Sequence, residues 1–76
     1  MIPVAEEIYS QIVNYKRKNL KPPSRVYLGS DIVSKIIASD PEFCNYFDIA
    51  KTYGDRNKIF GFYVYETREN GHIFIG

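Results

Sequence analysis

The chain reads as an α+β domain in the order α-β-α-α-β-β, a three-stranded antiparallel-type sheet with two to three helices packed on one face. Three observations predict it. Asn70-Gly71 lies between two strand-like runs, the strongest short signal for a β-hairpin. Two amphipathic stretches with helical spacing precede those runs. Between them stands Arg25-Val26-Tyr27-Leu28, a short alternating segment closed by Gly29. All 76 residues belong to one domain, and a chain this short has a thin margin of buried surface.

Taken in order, Pro3 suits the start of a helix, where its missing N–H costs nothing. Glu6 and Glu7 near the start, with Lys16, Arg17 and Lys18 near the end, complement the helix dipole. Ala5, Ile8, Ile12 and Tyr15 recur at helical spacing, with Tyr9 and Val13 widening the stripe, so helix 1 is expected over 4–18. Asn19 and Pro22-Pro23 stop it. In the short strand, Val26 and Leu28 point to the core. Ser30 or Asp31 caps a second helix, whose apolar residues are Ile32, Val33, Ile36 and Ile37. Asp40-Pro41-Glu42 has the form of another helix start, predicting helix 3 to Tyr53 with Gly54 as its cap.

The C-terminal stretch carries the hairpin. With Asn70-Gly71 as the two-residue turn, Glu69 faces His72, Thr67 pairs with Phe74 and Tyr65 with Gly76. One face then holds Phe60, Phe62, Val64, Ile73 and Ile75 and is the helices' natural cover. The other holds Tyr63, Tyr65, Thr67, His72 and Phe74. The final strand is too short to cover Ile59–Val64, so Arg25–Leu28 is expected beside the long central strand, bringing Tyr27 and Arg25 to the second face.

Composition narrows the function. Seven Tyr and five Phe stand without a Trp, and Tyr suits half-exposed surfaces and interfaces. The net charge of +1 makes the whole chain no polyanion magnet. A single cysteine, Cys44, excludes an internal disulfide and a multi-thiolate zinc site. The N-terminus has acids where a signal peptide has basic residues, and no apolar run reaches spanning length. A cytoplasmic protein without cofactor, metal or membrane contact is expected.

The candidate binding residues are Tyr27, Tyr63, Tyr65 and Phe74, with Arg25 and His72 at the margins. The plain alternative is that helix 1 or the loop after Pro23 folds over this face. His72 is the only histidine, and Glu69 could orient it, but no nucleophile is placed beside it, so an enzyme is not expected. Lys16, Arg17, Lys18, Lys21 and Arg25 hold five of the ten basic residues. Phosphate binding is one reading of that run; a solvated helix C-terminus is the plainer one. The Gly29-Ser30 junction reads as a helix cap rather than an anion site, because Asp31 would repel the ligand.

Two resemblances bear on this. Lys58–Tyr65, KIFGFYVY, resembles the first ribonucleoprotein motif of RNA-recognition domains, but Ile59 replaces its Gly and Tyr63 its aliphatic residue. That family exposes the residues matching Phe60 and Phe62, which here share a face with Ile73 and Ile75. Its leading strand and last helix are also missing. Pro23, Val26 to Asp31, Gly61, Val64 and Gly71 to Ile75 together resemble a loose group of small uncharacterised proteins of tailed bacteriophages and prophages. That resemblance implies a bacterial host cytoplasm or virion setting and no known active site. The resulting expectation is a non-enzymatic protein-interaction module, a stoichiometric binder or homo-oligomer, acting through the aromatic face or a free strand edge. The alternative is a nucleic-acid binder using the 16–25 segment and the sheet aromatics.

Overall fold

The protein is described by a computed structural model covering residues 3–39, 47–50 and 52–76. It is α+β, with two helices among the described residues. They are α1 (Pro3–Asn19) and α2 (Ser30–Ser39). The strands are β1 (Val26–Gly29), β2 (Phe47–Asp48), β3 (Lys58–Ile59), β4 (Phe62–Thr67) and β5 (Ile73–Ile75). They form one mixed sheet in the order β2-β3-β4-β1-β5, replacing the three-stranded antiparallel arrangement expected from the sequence.

The helix 1 expectation stands within a residue at each end. Ala5, Ile8 and Ile12 are its buried stripe. Its stop is sharper than the downstream prolines suggest. Leu20 adopts a left-handed backbone, φ 58°, and donates its N–H to the Lys16 carbonyl. This is an αL cap with leucine where glycine or asparagine is usual. Helix 3 is overturned over its described part. Phe47-Asp48 forms β2 and pairs with Ile59-Lys58, and Thr52–Gly54 is a turn. Phe47 is fully buried, so its aromatic ring serves the sheet rather than a helix face. The start proposed at Asp40-Pro41-Glu42, and Cys44, lie outside the described residues.

The hairpin is the main correction. Asn70-Gly71 does not join paired strands. β1 lies between β4 and β5, parallel to β4 (Val26↔Val64, Tyr27↔Tyr65) and antiparallel to β5 (Val26↔Ile75, Tyr27↔Phe74). A type I′ turn needs positive φ at both central residues, and Asn70 lacks it while Gly71 has it. Residues 68–72 instead arch over the end of β1. Gly29 donates its N–H to the His72 carbonyl, and Gly71 donates its N–H to both oxygens of Asp31 at 3.2 and 2.9 Å. Asp31, expected as a possible helix cap, lies inside the first turn of α2 and tethers this arch to the start of the helix.

The true two-residue hairpin is at Phe60-Gly61. Both have positive φ, 51° and 84°, and the flanks pair as Ile59↔Phe62 and Lys58↔Tyr63. The strand expected to run unbroken from Ile59 is thus folded back on itself. Phe60 accepts the unfavourable backbone while its ring packs edge-on against Tyr9 of α1, centroids 5.2 Å apart.

Both helices cover one face. Ile8 and Ile12 of α1 and Val33 and Ile36 of α2 join Val26, Leu28, Phe47, Ile59 and Val64 in one core. Each such buried side chain contributes about 1.5–3 kcal/mol relative to exposure. Among the described residues no helix is long and apolar enough to cross a membrane.

Candidate functional site: the open face of the sheet

The face away from the helices carries the aromatic residues that the sequence singled out. Alternation along β1, β4 and β5 puts Tyr27, Tyr65 and Phe74 in one transverse row, because Tyr27 pairs with both of the others. The Tyr27 and Tyr65 ring centroids are 5.5 Å apart, and those of Tyr27 and Phe74 are 6.0 Å apart. Tyr63 continues the face two residues along β4. Tyr63 and Phe74 are exposed, Tyr27 and Tyr65 half-buried. No described helix lies over them; helix 1, the cover considered from the sequence, packs on the opposite side.

Cations tile these rings. The Arg25 guanidinium lies 5.3 Å and that of Arg56 4.3 Å from the Tyr65 centroid. The Lys58 ammonium lies 4.8 Å from the Tyr63 centroid. The negative face of each ring attracts the cation set over it. Arg25 also donates from Nη1 to the Tyr27 hydroxyl at 3.2 Å. An arginine is a permanent cation at any ordinary pH, and the Tyr27 hydrogen bond first, then electrostatic interaction with Tyr27 and Tyr65, push the Arg25 pKa further up. A recess of about 160 Å³ opens beside the stack, lined by Gly54, Asp55, Arg56, Tyr63 and Tyr65.

Arg56 and Lys58 escaped the sequence reading, which named neither among the candidate binding residues. Their signal was Phe60-Gly61 flanked by apolar residues. Read as a turn, it reverses the face of everything before it and sets Lys58 opposite Tyr63. The loop leading there is held by Asn57, whose side-chain oxygen accepts the Ala50 N–H at 2.8 Å and whose carbonyl accepts the Val64 N–H at 2.8 Å.

His72 lies in the arch that follows β4, where its carbonyl accepts the Gly29 N–H. Its Nδ1 is 2.9 Å from Glu69 Oε2, a pairing reached through the arch rather than across a hairpin. Among the described residues no group of acids, His and Cys is arranged to hold a metal. The basic run is split between two sides. Lys16, Arg17 and Lys18 end α1 in the helix layer, with Lys16 over the Phe62 ring at 5.4 Å, while Arg25 alone reaches the aromatic face.

The strand edges also differ from expectation. β1 is internal and has no free edge; β5 is an edge. The bonds from Gly29 to His72 and from Gly76 to Arg25 fix the antiparallel alternation, so the N–H and C=O groups of Ile73 and Ile75 point outward. Alongside them runs a groove of about 320 Å³ that includes Gln11, Tyr15, Ile73 and Ile75 in its lining.

No protein-family model, curated protein or solved structure matches this chain.

Proposed function

We propose that this chain is a non-enzymatic binding module that docks a protein partner on the open aromatic face of its sheet. One observation carries the reading: four aromatic rings and three cations share a face that no described element covers. Tyr and Arg are the residues enriched at protein interfaces and at their energetic centres. The rings are held in a row by strand pairing, so little ordering cost remains at binding. Stoichiometric binding of this kind suits a phage accessory role, as a virion component or a binder of a host or defence protein, in keeping with the sequence resemblance.

The outward groups of Ile73 and Ile75 favour a second reading, self-association along β5 by strand addition. One experiment tests both. Affinity capture from bacterial lysate, with and without nuclease, is run beside light-scattering mass for the parent, Tyr63→Ala and Tyr65→Ala. The expected result is nuclease-resistant capture that weakens about tenfold or more in the tyrosine variants while their folded spectra persist. Capture or self-association unchanged in both variants rejects the aromatic face. A monomer at every concentration rejects the β5 reading.

A further inference from the structure

We propose that the Arg25–Tyr65–Arg56 stack recognises carboxylates, so that the partner presents an acidic segment to the sheet face. The inference rests on the docking reading above and names the partner's chemistry. Two guanidinium groups converge on one tyrosine ring. Like charges gathered on one ring repel, and neither group has a carboxylate within ion-pair distance among the described residues; Glu69 lies against His72 instead. Asp55, the nearest acid in sequence, accepts the Arg56 backbone N–H at its Oδ1, 2.8 Å away. Arg25 commits one donor to the Tyr27 hydroxyl, which holds its plane. The remaining donors form planar forks that match a carboxylate in two-point geometry.

Lys58 extends the pattern. It covers Tyr63, two residues from Tyr65 on the same strand. Two residues of a strand span about 7 Å. An extended segment with acids at alternate positions places one carboxylate at the arginine pair and the next at Lys58.

A nucleic-acid strand fits this face less well. Bases stack on free ring faces, whereas cations already lie over Tyr65 and Tyr63. The Lys16–Lys18 run that would continue a phosphate track ends α1 in the helix layer. Asp48 pairs with Lys58 and shares the aromatic face, and Asp55 lines the recess beside the stack. These carboxylates would repel a continuous polyanion, while discrete side-chain carboxylates can be placed between them.

The test is a titration of the folded chain followed by amide and arginine Nε–H NMR signals. The probes are acetyl-Glu-Thr-Glu-Thr-Glu-amide, its Gln counterpart and a twelve-residue oligothymidylate. The Glu peptide is expected to shift Tyr27, Tyr63 and Tyr65 amides and both arginine signals saturably, and the Gln peptide to leave them in place. Arg25→Gln and Arg56→Gln should each weaken the Glu peptide by about 3- to 10-fold, the range for a partly screened charged hydrogen bond. Absence of shifts, an equal response to the Gln peptide, or tighter binding of the oligothymidylate overturns the proposal. The peptide comparison on the parent chain decides even if a variant misfolds. It reports on carboxylate recognition by Arg25, Arg56 and Lys58, so its failure leaves docking through the tyrosines standing, and failure of the tyrosine variants in capture leaves the titration intact.

Discussion

Gly29→Ala tests whether the arch over β1 is a fixed part of the fold. A Cβ added at Gly29 meets the Glu69 backbone carbonyl oxygen well inside contact distance, Asp31 Oδ1 at 2.5 Å and the His72 N at 3.3 Å. The first and last of these are backbone and cannot swing aside, so the arch must lift. Overpacking of this kind costs about 1–3 kcal/mol. Lifting the arch also strains the Gly71 N–H bond to Asp31, whose net loss adds roughly 1–1.5 kcal/mol. The expected total is about 2–4 kcal/mol. A domain of this length has roughly 4–11 kcal/mol to lose, at 0.05–0.15 kcal/mol per residue. At about 4–8 °C per kcal/mol, the melting temperature should fall by roughly 10–30 °C in a circular-dichroism melt. The double variant Gly29→Ala/Asp31→Ala sharpens the test. It removes the one movable obstacle and leaves the Glu69 clash, so stability should not recover. A Gly29→Ala melt within 2 °C of the parent, or full recovery in the double variant, would refute the reasoning.

Two further outcomes are expected in the same melts. Leu20→Gly should stabilise by about 0.5–1 kcal/mol: the side chain is 90% exposed, so relief of its left-handed backbone is set mainly against the extra freedom of glycine in the unfolded chain. A melting temperature that falls would show that the Leu20 side chain makes contacts worth more than the strain. Thr67→Val should be neutral or stabilising by up to about 1 kcal/mol, because the buried Oγ1 has no hydrogen-bond partner among the described residues. A loss of more than 1 kcal/mol by urea titration would mean that the hydroxyl is satisfied in solution.

The first two helices and the faces were legible in the sequence; the strand order, and β2 in place of a third helix, were not. Helix 1 is written in a stripe of period near 3.6 with charges matched to its ends, and these are local properties. Strand order depends on contacts between distant segments, for which Asn70-Gly71 is only a local proxy. That dipeptide tolerates a tight turn but does not require one. Phe60-Gly61 makes the two-residue hairpin although phenylalanine is a poor residue for a left-handed position, because its ring gains Tyr9 and the edge of the core. Tertiary packing outweighs turn chemistry there. Phe47 was misread for a related reason: a residue buried on a sheet and one buried on a helix look alike when the run is two residues long.

The candidate face nevertheless emerged from a wrong register, and the cause is parity. A hairpin at Asn70-Gly71 would pair Thr67 with Phe74, so that Tyr65 and Phe74 share a face. Inserting β1 between the strands breaks that pairing but matches Tyr27 to Tyr65 on one side and to Phe74 on the other. Side-chain alternation has period two, so any arrangement that buries Val26, Val64, Ile73 and Ile75 must expose the tyrosine set. Parity says nothing about which cations join that set, and this is where the turn at Phe60-Gly61 matters. By reversing the chain it carries Lys58 over Tyr63 and brings Arg56 onto Tyr65. An aromatic surface left bare on so small a domain is an aggregation hazard. Cations over the rings keep it hydrated in the free protein while remaining available to a carboxylate in a complex. The same three side chains thus account for both the openness of the face and the acidic chemistry proposed for its partner.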